Sequence, residues 1–406
     1  MLARSSLAAG RLRISLLLSV GLGCAYAHQV ALSVCLVFML EPPSGPNHNA
    51  TQQPLHNQSS AFPLADADSS SLDWSRQVQG WVMSAFYWGY TMGQIPASVS
   101  VRRLGAQRTL LLWQLAAIAL SLSTGVVVRL GPGPFALVRA LCGFCLSCVL
   151  PASVDVASRW APAEERTLLV SLQTAGASVG ILVTFTAGAL HLLWWIAWYL
   201  VGSDSPEDDP HISKEEKEFV TNAASLAQQL RHERHVPWGR LLRSAPVLAT
   251  VGATVAIDFH NFLLTSFLPT FLSEVLLVDD DWLGTLSAAP FAGYAVGAAV
   301  SGALADAILR VYSNRNLFRR LQTGLSLLGG AALLLVAGRS AAAGVALPLV
   351  AAAQLVNSAT AIPAFVVEFA PAHAAAVTAL SNVLGNSCGV LSALAVGQLT
   401  GDTPVS

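Results

Sequence analysis

Apolar residues in this chain run in long blocks, and the charged residues are gathered between them. The first blocks cover about residues 15–40, 77–100, 109–128 and 134–157, and a second series covers about 246–272, 283–304, 321–337, 341–369 and 371–399. An α-helix rises about 1.5 Å per residue and a bilayer's hydrocarbon core is about 30 Å thick, so about 20 apolar residues suffice to cross it. The pattern predicts an all-α membrane protein in two helical units, residues 1–203 and 245–406, joined by a polar segment at 204–244. In that segment Ser213 and Glu216 have the spacing of an N-cap and a first-turn acid, which predicts a short helix starting there.

The best-defined block is 77–100. A polar run ends at Arg76, an apolar helix follows, and Arg102, Arg103 and Arg108 close it. Trp88-Gly89-Tyr90 and Gly93-Gln94-Ile95-Pro96 place small residues where a neighbouring helix can approach, and Gly176 and Gly180 do the same further on.

Residues 167–202 break the rule, with no Asp, Glu, Lys or Arg. As one helix they would extend about 54 Å, too long for one span, and they fall short of the about 40 residues that two spans and a turn need. Loop charge resolves the ambiguity. Basic residues cluster at the N-terminus (Arg4, Arg11, Arg13), after the blocks at 77–100, 134–157 and 283–304, and in the central segment, whereas the intervening loops hold Arg76, Arg129 and Arg339. Basic loops stay in the cytoplasm, so this alternation is coherent only if 167–202 enters and leaves on the same side as a cramped hairpin.

Composition narrows the class. Hydrophobic residues make up 54% and charged residues 11%, against about 25% charged in soluble proteins, which sets aside a soluble enzyme. No nucleophile, base and orienting group meet in an aqueous loop. A net charge of -1 gives no footing for a nucleic-acid partner. The cysteines (24, 35, 142, 145, 148 and 388) all lie in apolar blocks, which argues against a luminal disulfide framework. Cys142, Cys145 and Cys148 have a spacing seen at iron–sulfur sites, but on a helix residue 148 has drifted by about 60° from 142 and no fourth ligand follows, so they read as packing residues and no cofactor or metal is expected. The N-terminal arginines and apolar run resemble a signal peptide, but a run to Leu40 is too long and reads as a first span. In the polar loop after it, Asn49-Ala50-Thr51 and Asn57-Gln58-Ser59 match the glycosylation pattern, so Asn49 and Asn57 are candidate acceptors facing the lumen or exterior; an unmodified linker is the other reading.

The WGY and QIP elements at their spacing, the loop WAPAEER at 160–166, and the DSP, HIS and VPW elements of the central segment resemble the anion-cation symporter family of the major facilitator superfamily, the family of sialin and the vesicular carriers. Ser301 to Asp306, followed by Arg310, Arg315, Arg319 and Arg320, repeats the motif expected between spans 2 and 3, an internal repeat of this fold. The resemblance implies a two-half helical bundle, relative to which the first half of span 6 and all of span 12 are missing here. It also implies a secondary transporter that moves a small organic anion or phosphate by alternating access, coupled to protons, sodium or membrane potential, in a vesicular, lysosomal or plasma membrane. The missing segments leave a second alternative, a transport-incompetent truncated isoform or degenerate paralogue of such a carrier.

Ionisable residues inside spans are functional candidates because burying them in lipid costs at least about 2.5 kcal/mol. Arg139, near the start of the span at 134–157, has a guanidinium suited to gripping a carboxylate or phosphate; snorkelling to the interface is the bland alternative. Asp258 and His260 lie two residues apart and so on different helical faces; Asp258 is the ion-coupling candidate, and partial solvation of both is the rival reading. His28 lies in the first span. By resemblance, spans 1, 4, 7 and 10 line the substrate cavity, which makes Arg139, Gln29, His28 and His260 the substrate-binding candidates, and Arg103, Gly105, Asp306 and Glu368 the gating or structural motif residues. Gln29, Met83, Leu146 and Ile257 stand where family members carry, respectively, arginine, histidine, glutamate and arginine, which implies weak handling of glutamate and other two-carboxylate substrates.

Overall fold

The computed structural model describes residues 9–39, 74, 76–162, 164–182, 187–229, 236–278, 280–312, 314–340 and 342–400, and every regular element among them is a helix. Before the central segment come α1 (Ala9–Met39), α2 (Arg76–Leu104), α3 (Ala106–Val127), α4 (Pro132–Leu146), α5 (Val149–Trp160), α6 (Arg166–Leu182) and α7 (Ala187–Val201). The centre holds α8 (Lys214–Gln229) and the single turn α9 (Trp238–Leu241). After it come α10 (Ala245–Thr270), α11 (Asp280–Val311), α12 (Arg315–Ala337), α13 (Ala343–Asn357), α14 (Ile362–Phe369) and α15 (Ala374–Thr400). Six stretches among the described residues are long and apolar enough to cross a membrane, among them Pro132–Trp160 and Ala343–Phe369.

Those two stretches, expected as continuous helices, are each broken. Pro151 has no N–H to offer the carbonyl four residues back, at Ser147, and the chain turns at 147–148 between α4 and α5. Pro363 acts in the same way, and a 3-10 turn at Ser358–Thr360 leads into Ala361, which takes a left-handed conformation at φ 48° before α14 begins.

Of the stretch 167–202, expected to enter and leave on the same side, the described parts are α6 and α7. At about 1.5 Å per residue, the 17 residues of α6 reach about 25 Å and the 15 of α7 about 22 Å, against a hydrocarbon core of about 30 Å. α6 is held by backbone-to-backbone proximity. A Cβ on Gly176 or Gly180 would run into the carbonyls of Ser19 and Gly23, so glycine is what lets α6 lie directly on α1. α7 returns with Trp194 over Gly21, its indole N–H donating to the Leu17 carbonyl at 2.6 Å, and Trp195 donating to the Leu111 carbonyl at 2.8 Å.

Both ends of the 167–202 stretch lie at one charged face of the bundle. Three carboxylates there cap the N-termini of helices other than their own. Glu216 accepts from the amides of Gly10 and Arg11 at 3.1 Å, Asp204 from the amide of Gln107, and Asp306 from the amides of Thr167 and Leu168 at 3.1 and 2.8 Å. Each satisfies donors that a helix start leaves open and places negative charge at the positive end of the helix dipole. Arg11 also pairs with Glu165 at 2.9 Å and Glu216 at 3.1 Å, and Arg13 pairs with Asp209. Glu216 takes the Ser213 hydroxyl as its own cap, the amide donating at 3.2 Å, so the helix start expected at Ser213 is present.

Candidate functional site

Helices from both sides of the central segment enclose a cavity of about 180 Å³. Tyr26 of α1, Tyr90 of α2 and Ser171, Thr174 and Ser178 of α6 face it from one side. Asp258, Asn261 and Phe262 of α10, Phe291 and Tyr294 of α11, Gln354 of α13 and Asn382 and Asn386 of α15 face it from the other. The break between α13 and α14 opens onto it through Thr360, Ala361 and Pro363. Irregular backbone is tolerated at membrane depth where it borders a cavity rather than lipid.

Asp258 is the only Asp, Glu, Lys, Arg or His among the described lining residues. Its carboxylate rests on the backbone of Gly385, where any Cβ would collide with it. Ile257 lines the cavity next to it, at the position where the family resemblance leads one to expect arginine. His260 is buried outside the lining, as the two-residue spacing from Asp258 implies.

Arg139 and His28 meet each other in a separate cluster. The guanidinium donates to the His28 carbonyl at 3.5 Å and lies 4.9 Å from the centre of the Phe86 ring. Phe86 stacks on Tyr90, whose other neighbours include the cavity, so two rings stand between Arg139 and that space. The His28 ring sits 3.3 Å from the Ser121 hydroxyl and 4.9 Å, centre to centre, from His191, which is fully buried on α7. The side chain of Gln29 lies outside the described residues, as do Asn49 and Asn57.

The motif residues line the charged face. Arg103 is exposed at the end of α2, and Gly105 adopts φ 88° with the Asp204 carboxylate where its Cβ would be. Asp306 caps α6 as described, which ties α11 to the first helical group. Glu368 holds Arg319 in a fork, at 2.6 and 3.2 Å, and the same guanidinium donates to the Thr167 hydroxyl at 2.8 Å. Arg102 adds a further crossing, donating to the Ala372 carbonyl at 3.4 Å and to His373 Nδ1 at 2.9 Å. The bonds of Asp306, of Arg319 to Thr167 and of Arg102 join the two helical groups at the charged face.

Tyr26, Tyr294, Gln354, Asn382 and His191 did not stand out in the sequence, and Tyr90 did so only as part of the WGY element. The amides were findable, because uncharged polar side chains deep in apolar blocks are rare enough to mark an interior face. Asn382 in fact donates to Gln94 Oε1 at 3.4 Å, linking α15 to α2.

Residues 56–393 match the profile of the Major Facilitator Superfamily. Human sialin is 29% identical over 347 residues, covering 81% of this chain and 70% of that protein. Bovine vesicular glutamate transporter 1 is 27% identical, covering 82% of this chain and 63% of that protein. Arabidopsis thaliana sodium-dependent phosphate transport protein 1, chloroplastic, is 25% identical over 82% of this chain and 68% of its own. Among solved structures, the E. coli fucose:proton symporter FucP superposes with a TM-score of 0.62 over 96% of this chain and 92% of its own, at 13% identity, a likeness of fold alone. A helical bundle closed at one charged face around a shared cavity, with this profile and these relatives, identifies the chain as a member of the Major Facilitator Superfamily, within its anion-cation symporter family.

Proposed function

We propose that this protein is a secondary transporter that carries a small organic anion or phosphate by alternating access, together with a proton held on Asp258. The charged face is its cytoplasmic gate, and Asp306, Arg319, Glu368 and Arg102 are the residues that release when it opens. One observation carries the coupling: Asp258 is the sole formal charge among the described residues of a cavity shared by both helical groups. Two like charges about 5 Å apart at an effective dielectric constant of about 20 repel by about 3 kcal/mol. An anion therefore enters at full affinity only with a neutral Asp258, and binding of the proton and of the anion reinforce each other, which is the linkage that symport requires. Arg139, two rings from the cavity, supplies positive potential on the anion's path. Ile257 offers no partner to a second carboxylate, so monoanions are favoured over glutamate.

The test is uptake into proteoliposomes of phosphate, sialic acid, urate, nucleotides and glutamate, driven by an imposed pH gradient. The wild-type protein should accumulate one of the monoanions, and Asp258→Asn should exchange it across the membrane without concentrating it. Gradient-driven accumulation by Asp258→Asn at the wild-type level would refute the coupling. The short α7 supports a second reading, a carrier arrested in one conformation, and transport of no panel member by wild-type protein would favour it.

A further inference from the structure

We infer that the cavity also takes a small organic ammonium ion, which binds against ionised Asp258 and competes with the proton for that carboxylate. The inference shares its cavity with the proposed function but not the anion. Its basis is what surrounds the carboxylate. Tyr26, Tyr90, Tyr294, Phe262 and Phe291 put five aromatic side chains around one space with a single negative charge in it. Ring faces attract ammonium groups, and the attraction grows as water is excluded.

Among the described residues, no element packed around Asp258 counters this sign. α1 presents Tyr26, α2 Tyr90 and α11 Tyr294 to the cavity, α15 brings Cys388 within electrostatic reach, and α10's own His260 lies outside the lining. Phenols and thiols are ordinarily neutral near pH 7, so the carboxylate is the formal charge that a ligand meets first, with Arg139 set back behind Phe86 and Tyr90. The amide oxygens of Asn261, Gln354 and Asn382 are further acceptors for ammonium hydrogens. Size sets the class. A water needs at least about 10–15 Å³ of such space, so 180 Å³ holds roughly a dozen waters, the room for a compact amine with one ring rather than a polyamine or a peptide.

Three matched probes of one shape separate charge from fit: benzylammonium, benzyl alcohol and benzoate, bound to the purified full chain in detergent and measured by equilibrium dialysis across pH 5 to 9. Benzylammonium should bind more tightly as pH rises through the titration of Asp258, by up to tenfold per unit, while benzyl alcohol stays flat. Asp258→Asn should weaken benzylammonium about a hundredfold and leave benzyl alcohol unchanged, and Asp258→Glu should restore the ammonium preference. A benzylammonium affinity that is independent of pH, equal in Asp258→Asn, or no better than that of benzyl alcohol overturns the inference. If Asp258→Asn does not fold, the wild-type pH profile and Asp258→Glu decide alone. Benzoate reports separately on the anion reading, which requires its binding to strengthen as pH falls; failure of benzoate alone defeats that reading and leaves this one standing.

Discussion

Asp306→Asn should open the charged face. The wild-type carboxylate accepts two amides at the start of α6, at 3.1 and 2.8 Å, from a position on α11 in the other helical group. Asparagine keeps the shape and one accepting oxygen but turns an NH2 toward the second amide and removes the charge from the helix end. A hydrogen bond to a charged group contributes about 1.5–3 kcal/mol, and the charge–dipole attraction about 0.3–1 kcal/mol. Losing one such bond and the charge therefore costs the closed state about 2–3 kcal/mol, and at 1.4 kcal/mol per tenfold the open-to-closed ratio rises roughly 30- to 150-fold. Other crossings, Arg319 to Thr167, Arg102 to Ala372 and His373, and Arg310 to the Glu164 carbonyl, temper this without replacing it. The assay is the distance distribution between spin labels at Arg108 and Arg320, both exposed at the charged face and on opposite helical groups. A longer-distance population should grow in Asp306→Asn. An unchanged distribution in a folded Asp306→Asn protein would show that the cap does not hold the gate.

Three further outcomes are expected. Gly180→Leu drives a side chain into the Gly23 backbone and should destabilise the protein by about 3 kcal/mol or more, read as a lower thermal midpoint in detergent, whereas Gly344→Leu, with open space around it, should be neutral. Glu216→Ala strips the cap from α1 and one partner from buried Arg11, leaving it Glu165, so the N-terminal end should become accessible to protease with a loss of about 2–3 kcal/mol. Asn49 and Asn57 should carry glycans in a eukaryotic membrane, seen as a mobility shift on glycosidase treatment, while an acceptor engineered into residues 204–213 should stay bare.

The all-helical class, the placement of both ends of 167–202 at one charged face and the shared face of the basic loops were legible in the sequence. They depend on terms that add along the chain: apolar length against bilayer thickness, and charge against its side of the membrane. Gly176 and Gly180 were legible for a related reason, since a missing side chain at helical spacing has few uses other than close approach. The helix breaks were legible in principle, because Pro151 and Pro363 each remove a donor, but counting apolar residues passes over them. The cavity was not legible. Asp258 and Arg139 look alike in sequence, each an ionisable residue in an apolar block, and only packing decided that the first borders open space while the second lies behind Phe86 and Tyr90. The caps by Asp204, Glu216 and Asp306 were equally hidden, each joining a carboxylate to a helix start distant in the chain. Such partners are chosen by the relative placement of whole helices, a property that no local pattern of residues encodes.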